Sequence, residues 1–171
     1  GIICWLDASG GHGLIAAPSD QSTALWQIGV GPGSIGGVGT GAPWGCHGVT
    51  TGADGSGYTA GAQNTIDISN GCWQIGKAAD ICANLTLGGY SDWFLPAYDA
   101  LNAMYLYIGP GNGIAPGNSV ALGNVGGFTG NHYWSSTEYN DEKAWRHDFF
   151  YGDQSFFHKN YNMSVRAVRA F

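Results

Sequence analysis

The chain has 171 residues, of which 44% are hydrophobic and 13% aromatic, so it can build one core and is not disordered. Its net charge is −6, and its six lysines and arginines are too few for the concentrated basic surface that nucleic acid binding requires. Thirty glycines favour short elements and many turns over a helical bundle. We therefore expect a single loop-rich domain over residues 1–171.

The N-terminal region predicts a hairpin followed by a long loop. Residues 2–7 and 13–17 are short apolar runs separated by a turn-forming segment, which is typical of two paired strands. From Gly29 to Gly61 glycine dominates without a strict three-residue repeat, which excludes collagen and predicts a loop. A second glycine-rich loop is expected over residues 109–131.

Two helices are predicted in the middle of the chain. Residues 76–87 and 97–108 each carry apolar side chains at helical spacing, and each is followed by helix-ending glycine or proline. Between them, residues 92–96 form a short apolar run that predicts a strand.

The last third of the chain predicts a series of strands at residues 133–137, 144–151, 154–158 and 164–171. Strands and helices do not alternate as in a parallel sheet, so the fold class is α+β with small antiparallel sheets. We expect the N-terminal and C-terminal strands to pair and close the domain.

Four cysteines lie in the first half of the chain, without a C-x-x-C pair. His47 follows Cys46 but has no second ligand at zinc spacing, so no metal site is predicted. We expect one or two disulfides in an exported protein, with Cys46, Cys72 and Cys82 as the candidates and the pairing left open. No signal peptide or membrane-spanning run is present, so any anchor is expected in a segment outside this chain.

Several phrases of the sequence resemble one family. They are "LDASGGHGLIAAPSDQS", "TGAQNTIDISNGC", "AADICANLTLGGYSDWFLPAYDALNAMY", "YWSSTEYN" and "SVRAVRAF". They resemble the DUF1566 or Lcl_C family, named for the C-terminal domain of the Legionella collagen-like adhesin. The resemblance implies a C-type-lectin-like fold in a bacterial domain that is secreted or exposed at the cell surface. Because the adhesin domain is trimeric and binds sulfated glycosaminoglycans, it also implies a homotrimer and such a ligand as alternatives.

The resemblance further separates scaffold positions from changeable ones. Related domains tend to fix the positions that match Trp134, Trp145, Phe149, Gly152, Gln154, Lys159, Val165 and Arg166. Between them lie Asn-rich, changeable positions, a pattern that resembles the targets of diversity-generating retroelements. This variable region spans residues 138–163.

The composition of the variable region predicts a ligand-binding face. Tyr and Phe supply rigid contact area, while Asn, Asp, Ser and His supply adaptable hydrogen bonds. The alternative is that Phe156, Phe157 and Tyr161 complete a core, although adjacent Phe156 and Phe157 must face opposite sides of a strand. The predicted contact residues are Tyr139, Asn140, Asp141, Lys143, Arg146, His147, Asp148, Phe150, Tyr151, Asp153, Ser155, Phe156, Phe157, His158, Asn160 and Tyr161.

Strand alternation divides this region further. Trp145 and Phe149 are four residues apart and are therefore both expected on the core face. The predicted anion-contacting set is Lys143, Arg146, His147, His158 and Lys159. Arg166 and Arg169 are three apart, face opposite ways, and are expected to pair with scaffold carboxylates such as Asp7 or Asp92.

No catalytic signature accompanies these residues. The chain lacks a G-x-S-x-G elbow and has no cysteine after Cys82, so we expect neither enzymatic activity nor a cofactor. The expected partner is a host or bacterial surface protein or a sulfated polysaccharide. A purely structural cap that trimerises a stalk is a third alternative.

Overall fold

The computed structural model of the protein describes residues 1–22, 41–111 and 123–171. Within these ranges it is a mixed fold of small antiparallel sheets and short helices, as predicted. The strands are β1 (Ile2–Leu6), β2 (Gly13–Ala16), β3 (Ala42–Pro43), β4 (His132–Glu138), β5 (Lys143–Asp148), β6 (Gln154–His158), β7 (Asn162–Met163) and β8 (Val168–Ala170). The helices are α1 (Gly61–Gly71), α2 (Ala78–Ala83) and α3 (Tyr98–Ala103), and a π-helical turn over Met104–Ile108 continues α3.

The N-terminal sheet has the order β1-β2-β8. It confirms the predicted hairpin, in which Ile3 lies opposite Ile15. The last strand pairs with β2, where Leu14 lies opposite Ala170, and not with β1 as expected. The reason is that β2 is apolar and buried along most of its length and so takes the central position, while β1 exposes Ile3 and Leu6 and forms the edge.

The second sheet has the order β4-β5-β6 and carries most of the variable region. The predicted strand over 144–151 is too long, because β5 ends at Asp148, whose carboxylate accepts the backbone N–H groups of Phe150 and Tyr151. Of the predicted strand over 164–171, only β8 is a strand, whereas Ser164 and Val165 form isolated bridges. Residues 92–96 form only one bridge, between Phe94 and Val168.

The two predicted helices are present. The first is shorter than expected, and the second includes the π-helical turn. Helix α1 was not predicted, because its buried stripe includes Asn64 and Thr65 and gives no apolar periodicity. The amide of Asn64 donates to the Gly55 carbonyl at 2.6 Å, and the Thr65 hydroxyl donates to the Gly61 carbonyl at 2.7 Å. These bonds satisfy the polar groups that the helix buries.

Strand β4 separates two cores. Tyr133 packs in one with Leu14, Leu101 and Phe149. The next residue, Trp134, faces the other core, which also contains Trp44, Ile68, Leu95 and Met163. Successive side chains of one strand therefore anchor the two halves of the domain.

The predicted disulfide and ion-pair residues can now be placed in the fold. Cys46 and Cys72 form a disulfide, whereas Cys82, the third candidate, is a free thiol. Cys82 faces the core from α2, and burial raises its pKa. Arg169 binds both carboxylate oxygens of Asp92 at 2.9 Å, as predicted.

Arg166 is buried and pairs with Asp20 at 2.6 Å, so the prediction that it pairs with Asp7 was wrong.

Among the described residues, no helix is long and apolar enough to cross a membrane. The predicted glycine-rich loops fall partly on residues 23–40 and 112–122, which lie outside the described ranges.

Candidate functional site

The β4-β5-β6 sheet presents two distinct faces. Lys143 lies opposite His158, and Trp145 lies opposite Phe156, so these four side chains share one face, here called the platform face. Phe157 lies on the other face, the core face, which covers the core that contains Trp134. The alternating register therefore separates Phe156 from Phe157, as predicted.

An aromatic platform occupies the platform face and consists of Tyr98, Tyr139, Trp145 and Phe156. The rings of Tyr139 and Phe156 stack with centroids 4.1 Å apart, and Trp145 meets them edge-on at 5.6 and 5.5 Å. Tyr98, at the start of α3, packs edge-on against Trp145 at 4.9 Å. Tyr139 is 48% exposed, and the other three rings are half-buried. The platform is thus held in place by ring contacts while remaining open to solvent.

Trp145 was expected in the core, and this assignment is wrong. The ring is half-buried within the platform, whereas Phe149 is fully buried. Because β5 ends at Asp148, strand alternation does not extend from Trp145 to Phe149.

His147 and Asp148 lie in the interior, so the prediction that they contact a ligand is also wrong. The ring nitrogens of His147 lie 3.1 Å from Oδ1 of Asn102 and 3.2 Å from the carbonyl oxygen of Asp148. Tyr105 covers the ring with a centroid distance of 4.7 Å. Burial lowers the pKa of His147 to about 4, so the imidazole is neutral at physiological pH.

Arg146 lies in a polar cluster with two carboxylates. Its Nη1 lies 3.7 Å from Asp148 Oδ2, and its Nη2 lies 3.7 Å from Asp153 Oδ2. Burial acts to raise the pKa of Asp148, but contacts with His132 at 2.9 Å and with two backbone N–H groups lower it overall. The carboxylates therefore offset much of the positive charge of Arg146.

Lys159 was expected in the anion-contacting set, but it is fully buried. Its Nζ lies 2.5 Å from Glu138 Oε1, donates to the Val49 carbonyl at 2.7 Å, and lies 4.7 Å from the centroid of the Trp44 ring. Glu138 also accepts the backbone N–H groups of Thr51 and Gly52. Lys159 therefore fixes a loop and is not available to an anionic ligand.

The other predicted contact residues divide by exposure. Phe157 and Tyr161 pack edge-on at 4.7 Å and cover the core, as in the alternative prediction. The remaining exposed residues are Asn140, Asp141, Tyr151, Asp153 and Asn160, and the remaining half-buried ones are Lys143, Phe150, Ser155 and His158.

Two features near this region were not predicted from the sequence. His47, Glu142 and His158 each place a ligand atom within 4.8 Å of the others, although they come from three separate segments. Trp73 and Ile75 are 88% and 93% exposed in the loop that follows the disulfide. Neither feature has a local sequence signal, because both depend on which of the described segments pack against one another in the fold.

A comparison with family models matches residues 19–169 to the Lcl C-terminal domain. A comparison with curated proteins finds no match. The matched range includes β4 to β7, the aromatic platform and both cysteines of the disulfide. The chain therefore belongs to the Lcl C-terminal domain family.

Proposed function

We propose that this domain is a non-enzymatic binding module that contacts a surface protein of a host or bacterial cell through the aromatic platform. The partly exposed stack of Tyr139 and Phe156 beside Trp145 is the observation that carries this proposal. Aromatic rings held by neighbouring rings lose little conformational entropy on binding, which makes them effective anchors in protein interfaces. Lys143, with its Nζ 5.2 Å from the Phe156 centroid, supplies a charged rim.

The charges of the site favour a protein over a sulfated polysaccharide. Of the predicted anion-contacting set, Lys159 and His147 are buried, and Arg146 is flanked by two carboxylates. Lys143 and His158 remain, which is a small basic surface on a chain of net charge −6. A polyanion needs several accessible cations, so the platform is better suited to a protein surface.

The proposal also covers the cellular location of the domain and its fold. Family membership and the disulfide between Cys46 and Cys72 indicate an extracellular, surface-associated domain. We infer a C-type-lectin-like fold, supported by the small antiparallel sheets, the short helices and the return of β8 to the N-terminal hairpin. The homotrimer implied by the family resemblance stays a prediction.

Diversification of residues 138–163 is part of the proposed function. Most of the changeable positions in this range are exposed or half-buried, as variation without loss of the fold requires. The coding DNA tests this directly. Asparagine-type AAY codons concentrated in this range beside a template copy would support diversification, and ordinary codon usage without a template would contradict it.

The ligand class can be tested with cells treated by enzymes. Fluorescently labelled domain is incubated with intact epithelial and bacterial cells before and after surface proteolysis, and in parallel after heparinase treatment. We expect proteolysis to abolish binding and heparinase to leave it unchanged. Loss of binding after heparinase treatment would overturn the proposal in favour of a sulfated polysaccharide.

A further inference from the structure

Three side chains with metal-ligating atoms meet at the edge of the β4-β5-β6 sheet. His47 follows the disulfide cysteine Cys46, Glu142 lies in the turn before β5, and His158 ends β6. One ligand atom from each lies within 4.8 Å of the other two. His47 and Glu142 are exposed and His158 is half-buried, so an ion can reach the cluster from solvent.

The spacing of the two imidazoles matches tetrahedral coordination. His47 Nε2 and His158 Nδ1 are 3.4 Å apart. Two nitrogens that each lie about 2.05 Å from a tetrahedral zinc ion are about 3.3 Å apart. In the absence of an ion the two rings share a long hydrogen bond, which a metal bound between the two nitrogens would replace.

The backbone holds the three segments together without an ion. The Gly48 N–H donates to the Asp141 carbonyl at 2.9 Å, which joins the His47 loop to the turn that carries Glu142. The Lys159 N–H donates to the Glu142 carbonyl at 2.9 Å, directly after His158. The disulfide fixes the chain immediately before His47. A ligand set on such a framework loses little entropy when it binds a metal.

We propose that His47, Glu142 and His158 form a binding site for a divalent transition metal ion of the zinc type. Two imidazole ligands favour such ions over calcium and magnesium, which prefer oxygen ligands throughout. Three protein ligands leave a fourth position for water or for a donor group of a binding partner. Because Glu142 is exposed, its carboxylate can rotate to close the site. The site does not depend on the proposed function of the platform.

The test is a zinc titration of the tag-free, chelator-treated protein by calorimetry, with thermal melts in parallel. We expect about one zinc ion per chain and a rise in Tm, because an ion that binds only the folded state stabilises it. His47→Ala and His158→Ala should each weaken zinc binding by more than about 100-fold, since loss of an outer-shell partner alone costs about 10- to 100-fold. Glu142→Gln should weaken it as well.

The matched control is His12→Ala, which removes an exposed imidazole from the β1–β2 turn and should leave zinc affinity unchanged. Magnesium should produce no shift in Tm. Cobalt gives an independent readout, because bound Co²⁺ in a low-coordinate nitrogen and oxygen site shows visible absorption that the His47→Ala variant should lack. Equal zinc affinity in the wild type and both histidine variants, or no heat and no Tm shift in the wild type, would overturn the proposal.

Discussion

His147 is a residue at which burial and acid sensitivity are linked. Its neutral ring lies beneath Tyr105, and burial lowers its pKa to about 4. The unfolded chain exposes the same ring at an ordinary pKa of about 6.5. Between these values the unfolded state binds more protons, so the free energy of unfolding falls as the pH falls through this window.

We therefore predict that acidification from pH 7 to about pH 4 costs the wild type about 3 kcal/mol of stability through His147. The His147→Gln variant should lack this component. Urea unfolding of both proteins across the window measures it, and the difference between them removes the opposing contribution of Asp20, whose pKa burial raises. Parallel pH profiles for wild type and variant would contradict the assignment.

Trp145 and Phe149 show how two aromatic residues close in sequence have different roles. Phe149 is buried among Tyr105, Phe128 and Tyr133, whereas Trp145 is half-buried in the platform. Phe149→Ala should cost about 3–5 kcal/mol because it leaves a cavity in the core. Trp145→Ala should cost about 1–2 kcal/mol, since it removes edge contacts and partial burial. Denaturant unfolding measures the loss of stability in each variant. A larger loss for Trp145→Ala than for Phe149→Ala would show that the two roles are reversed.

At the scale of elements, the ion pair of Glu138 and Lys159 connects the end of β4 to the loop over residues 49–53. Glu138→Gln should cost about 3–5 kcal/mol, because it leaves the Lys159 charge buried without its partner. The amides of Thr51 and Gly52, which donate to Glu138, should also exchange faster. Hydrogen exchange and urea unfolding measure both effects.

The double variant Glu138→Gln/Lys159→Met is the control for that prediction. Removing both charges with little change of volume should restore much of the stability. Unchanged stability of Glu138→Gln alone, with slow exchange at Thr51 and Gly52, would show that the pair does not hold the loop.

The elements that the sequence predicted are those with local signals. Alternating side chains and turn residues predicted the strands β1, β2, β4, β5 and β6, and apolar spacing predicted α2 and α3. Helix α1 was missed because Asn64 and Thr65 occupy its buried stripe. The pairing of β8 with β2 is a tertiary choice that no local pattern specifies.

The candidate site was predictable to a similar extent. Composition predicted Tyr139 and Phe156 as contact residues. Only the burial seen in the structure shows that His147 and Lys159 lie in the interior. The end of β5 at Asp148 interrupts the alternation that placed Trp145 in the core. The cluster of His47, Glu142 and His158 could not be found from spacing, since its members come from three segments.

At the scale of the whole molecule, the disulfide closes a long loop. Cys46 and Cys72 are 26 residues apart, and a loop of this length is worth about 3.5 kcal/mol in the chain-entropy account. The Cys46→Ser/Cys72→Ser variant should lose about this free energy of unfolding. A reductant should lower the Tm of the wild type but not of the variant, because Cys4 and Cys82 are buried free thiols. Equal Tm for oxidised and reduced wild type would contradict this role.

The central claim is that the domain binds through the aromatic platform, and equilibrium binding of variants to intact cells tests it most directly. We expect the Tyr139→Ala/Phe156→Ala variant to lose binding, and Tyr107→Ala, which truncates a 60% exposed aromatic residue outside the β4-β5-β6 sheet, to retain it. Thermal melts confirm that each variant is folded. Binding by the wild type should change little with salt, because exposed charges contribute little to it. The account would be contradicted if the Tyr139→Ala/Phe156→Ala variant bound as well as the wild type, while Lys143→Ala or raised salt abolished binding.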